Sequence, residues 1–201
     1  LAAAETEDWS NNATGLFKQL FQLELSGTEV EPAERFAVLD EGIASGDERI
    51  IAVCIEALSM SLSHRHFSRT GGAEEIGSQP PLRDWHAKNW DEVFDFHRRG
   101  LATLERIRDL HNFFETRCEE VFASNLRGMI CEPLAAEIEV SASEIAERRG
   151  IWLEGLEAVG QWLYFDRKGY PEAFQKRVRE LYDKLIPGDL VNLALLYTKF
   201  W

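Results

Sequence analysis

What the chain lacks sets the first bounds. No apolar run approaches the ~20 residues that a membrane-spanning helix needs, and the opening LAAAETEDW has neither the basic start nor the apolar stretch of a secretion signal. A cytoplasmic protein without a membrane partner is the expectation. Strict two-residue alternation long enough for a sheet is missing too, so β folds drop out of first consideration. Basic residues are scarce: 22 Lys and Arg stand against 35 Asp and Glu, and the formal net charge of −13 repels phosphate backbones. No nucleic-acid partner is expected. Cysteine is scarce and odd in number. Cys54, Cys118 and Cys131 lie far apart among helical apolar residues, where a thiol acts as a small core hydrophobe and disulfides are not expected. The catalytic signatures are missing as well: there is no Gly-x-Ser-x-Gly elbow, no His-Glu-x-x-His and no Asp-rich phosphotransfer motif. Nothing supports an enzymatic assignment, and no cofactor is expected.

What is present is helical periodicity. With 45% hydrophobic residues, the 201-residue chain can bury a substantial core. Asn11 or Asn12 can cap a first helix with the stripe Phe17, Leu20, Phe21 and Leu25, ended near Ser26-Gly27. Glu31-Pro32 starts a second with Phe36, Leu39 and Ile43 inward, and Asp47 caps a third, ERIIAVCIEALSMSLS, apolar nearly all round. Asn89 can cap a helix carrying Trp90, Phe94, Leu101 and Leu104 to about Leu110. Further stripes follow: Phe114, Cys118, Val121, Phe122 and Leu126; Leu134, Ile138 and Ile145 after Pro133; Trp152, Leu156, Val159 and Leu163; and Phe174, Val178, Leu181 and Leu185 after Pro171. A last helix begins at Asp189.

About nine helices on mostly short connectors predict an all-α fold of sequential antiparallel neighbours. The interval from Pro133 to Pro171 is close to the ~40-residue period of helical-pair repeats. The preferred architecture is stacked helical hairpins, an irregular HEAT-like α-solenoid segment forming one helical-repeat domain over 1–201, with a compact multi-helix bundle second. The start without Met and the apolar end LVNLALLYTKFW suggest a fragment of a longer chain. Leu195, Leu196, Phe200 and Trp201 would then be partly uncovered, which leaves room for self-association.

One stretch departs from the helical pattern. The long connection from about His64 to Lys88 holds all the chemistry-bearing oddities: histidines, arginines, paired prolines and Trp85. Structureless loops beyond ~15 residues are uncommon in compact domains unless functional or disordered, and Phe67, Ile76, Leu82 and Trp85 are anchoring residues that argue for packing down. A metal site would draw on His64, His66 and His86 with Glu74 or Glu75, though Arg65 and Arg69 would sit beside the ion. Gly72 to Gly77 has the glycine spacing of a phosphate loop, but Ser78 and Gln79 stand where Lys and Ser or Thr are required. Recognition would use His66, Arg69, Arg83, Trp85 and His86 as donors and aromatic faces towards a protein partner or a neighbouring domain of the same chain. A plain structured loop closing the end of a helical pair is the simplest alternative. A small-molecule regulatory bundle would instead need a cavity lined by Trp90, Phe94, Phe122 and Trp162.

Among the other candidates, His97 on its apolar helix face reads as a hydrogen-bonded core residue, and Gly100 in mid-helix marks either close packing or a bend. His111 and Glu115, spaced i to i+4, are an ordinary surface pair.

Several phrases together have a family look: NNATGLFKQLFQLELSGTEVEPAERFAVLDEGIASGD, HFSRTGGAEEIGSQPPLRDW leading into NWDEVFDFHRRGL, and GLEAVGQWLYFDRKGYP followed by LIPGDLVNLALLYTKFW. They resemble the long helical regions downstream of the ATPase module in bacterial STAND proteins, NACHT-like signal-transduction ATPases of which many serve in anti-phage defence. The resemblance covers most of the chain and rests on structural phrases. It implies a sensor role, in which helical repeats recognise a foreign protein and relay the event to an ATPase and an effector. Neither of those modules has a motif in this sequence.

Overall fold

The computed structural model describes residues 2–4, 12–64, 78, 83–188, 191 and 194. The fold is all-α: among the described residues there are eight α-helices and no strand. They are α1 (Ala13–Gln19), α2 (Pro32–Ala44), α3 (Glu48–Ser61), α4 (Trp90–Leu110), α5 (Glu115–Met129), α6 (Ala135–Arg149), α7 (Leu153–Gln161) and α8 (Glu172–Leu185). The helix expected from Asp189 falls largely outside the described residues, as do Leu195, Leu196, Phe200 and Trp201. The chain divides into two compact units, residues 1–121 and 122–201.

In the first unit α3 is the hub, packing against α1, α2 and α4. Its apolar composition has that cause: Ile51, Cys54, Ile55, Ala57, Leu58 and Leu62 are all buried, so a helix surrounded by others needs no polar face there. The caps form as their residue types dictate. Asn12 accepts from the Gly15 N–H at 2.7 Å, Asp47 from Arg49 and Ile50, and Asn89 from Glu92. Contacts also skip along the chain, since α1 lies on α3, so the pairing in this unit is not purely sequential.

A run of rings crosses the unit. Phe17 meets Phe21, Phe21 meets Phe36 edge-on, Phe36 meets Phe96 edge-on at 5.4 Å, and Phe96 meets His97, on which His64 stacks at 4.1 Å. Arg99 lies over Phe36. This run joins α1, α2 and α4; Phe17, Phe21 and Phe36 belong to the predicted stripes, whereas Phe96 and His64 do not. His97 is 1% exposed, and its Nδ1–H donates to the Ser61 carbonyl at 2.9 Å, which fixes the tautomer. Burial, with His64 beside it, holds His97 down at about 3 against a carbonyl bond that works the other way. The ring is therefore neutral in the folded protein. Ion pairs tie the same elements from outside: Glu56 of α3 receives Lys18 of α1 at 2.7 Å and Arg117 of α5, while Arg106 of α4 reaches Asp40 of α2.

In the second unit α8 packs on both α6 and α7. Its buried face is the predicted one: Phe174, Val178, Leu181 and Leu185. Trp152 and Trp162 are almost fully buried; Trp152 lies parallel to Phe122 at 5.8 Å, and Trp162 meets Phe174 edge-on. Gly155 makes the Trp152 position possible, because a Cβ there would come within 2.1 Å of the indole. The helix read through Leu163 changes winding at Trp162, where a π turn (Trp162–Asp166) leads into a 3₁₀ turn (Arg167–Gly169). That widened turn pushes Tyr164 and Phe165 into solvent, 76% and 61% exposed. Arg127 grips Asp166 with two nitrogens at 2.7 and 3.1 Å and lies over Phe165. The three cysteines are free thiols, and burial pushes Cys54 up to about 11 and Cys118 up to about 12.

Gly100 resolves to close packing. A Cβ added there would lie 2.7 Å from Ser61 Oγ and 3.2 Å from Leu62 Cδ2, so α4 crosses α3 at a distance that only hydrogen permits. Gly100→Ala is expected to lower stability by about 1–3 kcal/mol despite the helix-propensity gain of about 1 kcal/mol; a urea midpoint equal to or above that of the parent would refute the contact. His97 supplies a second test. Its folded value lies below its unfolded one, so its contribution is complete above pH ~6.5 and declines as pH falls towards about 3. His97→Gln, which keeps a donor for Ser61 without titrating, should flatten the loss of melting temperature between pH 6 and 4.

Candidate recognition surface

The surface is built on an irregular connector, residues 20–30, between α1 and α2. The stripe Phe17, Leu20, Phe21 and Leu25 predicted a helix through to Ser26; α1 instead ends at Gln19. The cause is a side chain from α2. Arg35 Nη1 donates to the carbonyls of Leu20 at 2.9 Å and Gln22 at 3.1 Å, groups that would otherwise accept from the amides a helical turn further on. The connector closes with Leu25 in the left-handed region at φ +55°, a conformation a leucine adopts at a cost of about 1 kcal/mol.

Arg35 is 4% exposed. Its guanidinium lies 5.3 Å from the centre of the Trp85 ring and 5.8 Å from that of Phe96, between the long connection and α4. Burial holds it below the ordinary arginine value, and Asp84 acts through space in the other direction. Sequence reasoning missed this residue, although a signal existed: Arg35 stands four residues before Leu39 and eight before Ile43, on the inward stripe itself.

The last part of the long connection, residues 83–89, lies along this connector. The Trp85 N–H donates to the Thr28 carbonyl at 2.8 Å, the Arg83 N–H to Glu29 Oε1 at 2.7 Å, and His86 Nδ1 to Glu24 Oε2 at 2.7 Å. Three of the five predicted recognition residues, Arg83, Trp85 and His86, are thus brought together on one platform. His66 and Arg69 lie outside the described residues, as do Glu74 and Glu75. The platform itself was not foreseen, and it is acidic. Glu24 meets the His86 ring and Glu29 the backbone N–H of Arg83, so two acceptors of the platform are already engaged within the unit.

The metal alternative gains no geometry from these positions. His64 stacks on His97, His86 is turned to Glu24, and among the described residues no group of three or more His, Cys, Asp and Glu side chains converges.

Beyond Asn89 the chain enters α4, and its first turn differs from expectation. The stripe Trp90, Phe94, Leu101 and Leu104 runs along one face, but only its later part is covered. Leu101 and Leu104 are buried, with Phe96, His97 and Ile107 around them, whereas Trp90 is 73% exposed and stacks on Phe94 at 6.0 Å. The apolar face continues past its neighbours. Lys88 is exposed at the start of this turn, where its N–H and Glu92 Oε2 close it at 2.9 Å, and Arg83, seven residues before Trp90, is exposed as well. Chemically the arrangement offers an aromatic plate with the Lys88 cation at its edge and, among the described residues around it, no nucleophile beside a base.

The strain at residue 25 gives a direct check. Leu25→Gly should be neutral or stabilising by up to about 1 kcal/mol, since glycine takes positive φ freely; a clear loss of stability in chemical denaturation would mean the connector takes another path. Compared with known proteins, the chain matches no family model, no curated protein and no solved structure.

Proposed function

We propose that the chain is a non-catalytic helical scaffold or sensor segment that recognises a protein partner, or a neighbouring domain of its own chain, through the surface around residues 83–94. The observation that carries this reading is Trp90, 73% exposed at the uncovered end of an otherwise buried helix face. Large aromatics stacked flat at a surface lose little rotamer freedom on binding and supply most of the contact energy when a partner excludes water from them. Exposed Lys88 next to it and exposed Arg83 seven residues before it suit a partner segment that carries an apolar side chain flanked by acidic ones. The resemblance of the sequence to the helical regions of STAND proteins fits the same reading, with a sensor role in bacterial defence or signalling. A stack of helical pairs in the HEAT-like manner would present such a surface repeatedly, and a cytoplasmic setting belongs to this proposal.

Two measurements test it. Trp90→Ala should change stability by no more than about 0.5 kcal/mol, because an exposed side chain holds little of the fold together. A photoreactive phenylalanine analogue at position 90, in cells producing the protein, should yield one dominant adduct that weakens when Arg83 and Lys88 are changed to Glu. The same analogue at exposed Val38 on α2 is the control. Identical adducts from both positions, insensitive to the charge reversal, would refute the surface.

A further inference from the structure

Arg35 carries a second feature. Its Nη1 is satisfied by two carbonyls, but its Nε and Nη2 are buried and have no hydrogen-bond partner, and Gln22 Oε1, on the connector that Arg35 holds, is buried without one as well. A guanidinium out of water with two of its donors unmet is costly, because each lost hydrogen bond to a charged group amounts to a full desolvation penalty. Asp84 influences Arg35 through space and does not bond either free nitrogen. Nε and Nη2 form one edge of the guanidinium, with both N–H bonds pointing the same way, and this edge matches the two oxygens of a carboxylate.

We propose that the Nε–Nη2 edge of Arg35, whose guanidinium lies against the rings of Trp85 and Phe96, is a binding site for a single carboxylate. The chemistry favours a flat monoanion. Two aromatic rings lie within 6 Å of the guanidinium carbon, among the described residues no second cation is seen at its free edge, and a dianionic phosphate would meet the field of Asp84 with only one positive charge to balance it. The half-buried indole of Trp85, 5.3 Å from the guanidinium carbon, is the neighbouring group least tied to a helix. Its segment is held to the connector by the Trp85–Thr28 backbone bond and by the contacts of Arg83 with Glu29 and His86 with Glu24, so the ring can be displaced without disturbing a helix. The carboxylate can come from a free small acid or from an acidic side chain of a peptide; the chemistry recognised is the same. The site stands apart from the Trp90 surface, and its failure would leave that reading intact.

The test uses the whole chain and two probes, sodium acetate and a short neutral-ended peptide whose one carboxylate is a glutamate side chain, each against chloride at equal ionic strength. Binding should raise the melting temperature by about 3 °C or more near saturation with at least one probe. A response to acetate marks a free acid as ligand, and a response to the peptide alone marks a partner's side chain. Arg35→Met should abolish the shift. If that variant does not fold, Trp85→Ala should move the half-saturating concentration by roughly fivefold or more, the equivalent of losing one ring contact. No shift with either probe overturns the proposal, and so does a shift that persists in folded Arg35→Met or a midpoint unmoved by Trp85→Ala.

Discussion

The first unit is organised around a charge that has been taken out of water. Arg35 sits on the inward stripe of α2, where an apolar side chain would be the easy choice, and its guanidinium reaches into the connector rather than into solvent. Such a group must find acceptors, since leaving them unmade costs more than most packing defects. Two backbone carbonyls meet one nitrogen. To present them, α1 has to stop at Gln19 and the chain has to turn through a left-handed Leu25. The strain at Leu25, the early end of α1 and the position of Trp85 over the guanidinium therefore share one origin. The remaining unmet edge is what separates this arginine from an ordinary structural one.

Around that charge the unit is held by shape. The rings from Phe17 to His64 pass from α1 through α2 to α4, and the hydrogen of Gly100 lets α4 approach α3 closely enough for His97 to reach the Ser61 carbonyl. These two features depend on each other. A wider crossing would lengthen the His97 bond and admit water to a ring that is neutral because it is dry. The second unit uses the same device once, with Gly155 making room for the Trp152 indole. In both units a residue with no side chain determines where a large one can lie.

Local signals in the sequence account for most of the helices. Asn12, Asp47 and Asn89 cap as written, Pro32 and Pro171 stand at helix starts, and the stripes of α2, α3 and α8 face inward. These features act within four residues, so a linear reading captures them. The all-α class follows from them. What was not legible is the information carried across long separations. Trp85 pairs with Thr28 and His86 with Glu24, partners that no periodicity links, and nothing in the spacing of α1 announces that an arginine on the next helix will claim its carbonyls. Trp90 shows a related limit. Periodicity puts Trp90 on the face of Leu101 and Leu104; it does not state whether a neighbour is there to cover it. His66 and Arg69, read as partners of Trp85, fall outside the described residues.

Residues 83–90 join the buried Arg35 and the exposed Trp90. On its inner side the segment lays Trp85 over Arg35, and five residues later, across the Asn89 cap, the same segment delivers Trp90 to the surface. Three hydrogen bonds tie it to the connector, two of them exposed and made to carboxylates, each contributing on the order of 1 kcal/mol. The helices around it are fixed by close-packed rings and a glycine crossing, which resist displacement far more strongly. This lightly held segment thus carries both the exposed Trp90 and the Trp85 ring that lies against Arg35. A contact that distinguishes two positions of this segment has only a small energy to overcome, whereas one acting on α3 or α4 would have to reopen the core. That difference in cost is the physical reason to look for recognition here and not along the hub helix.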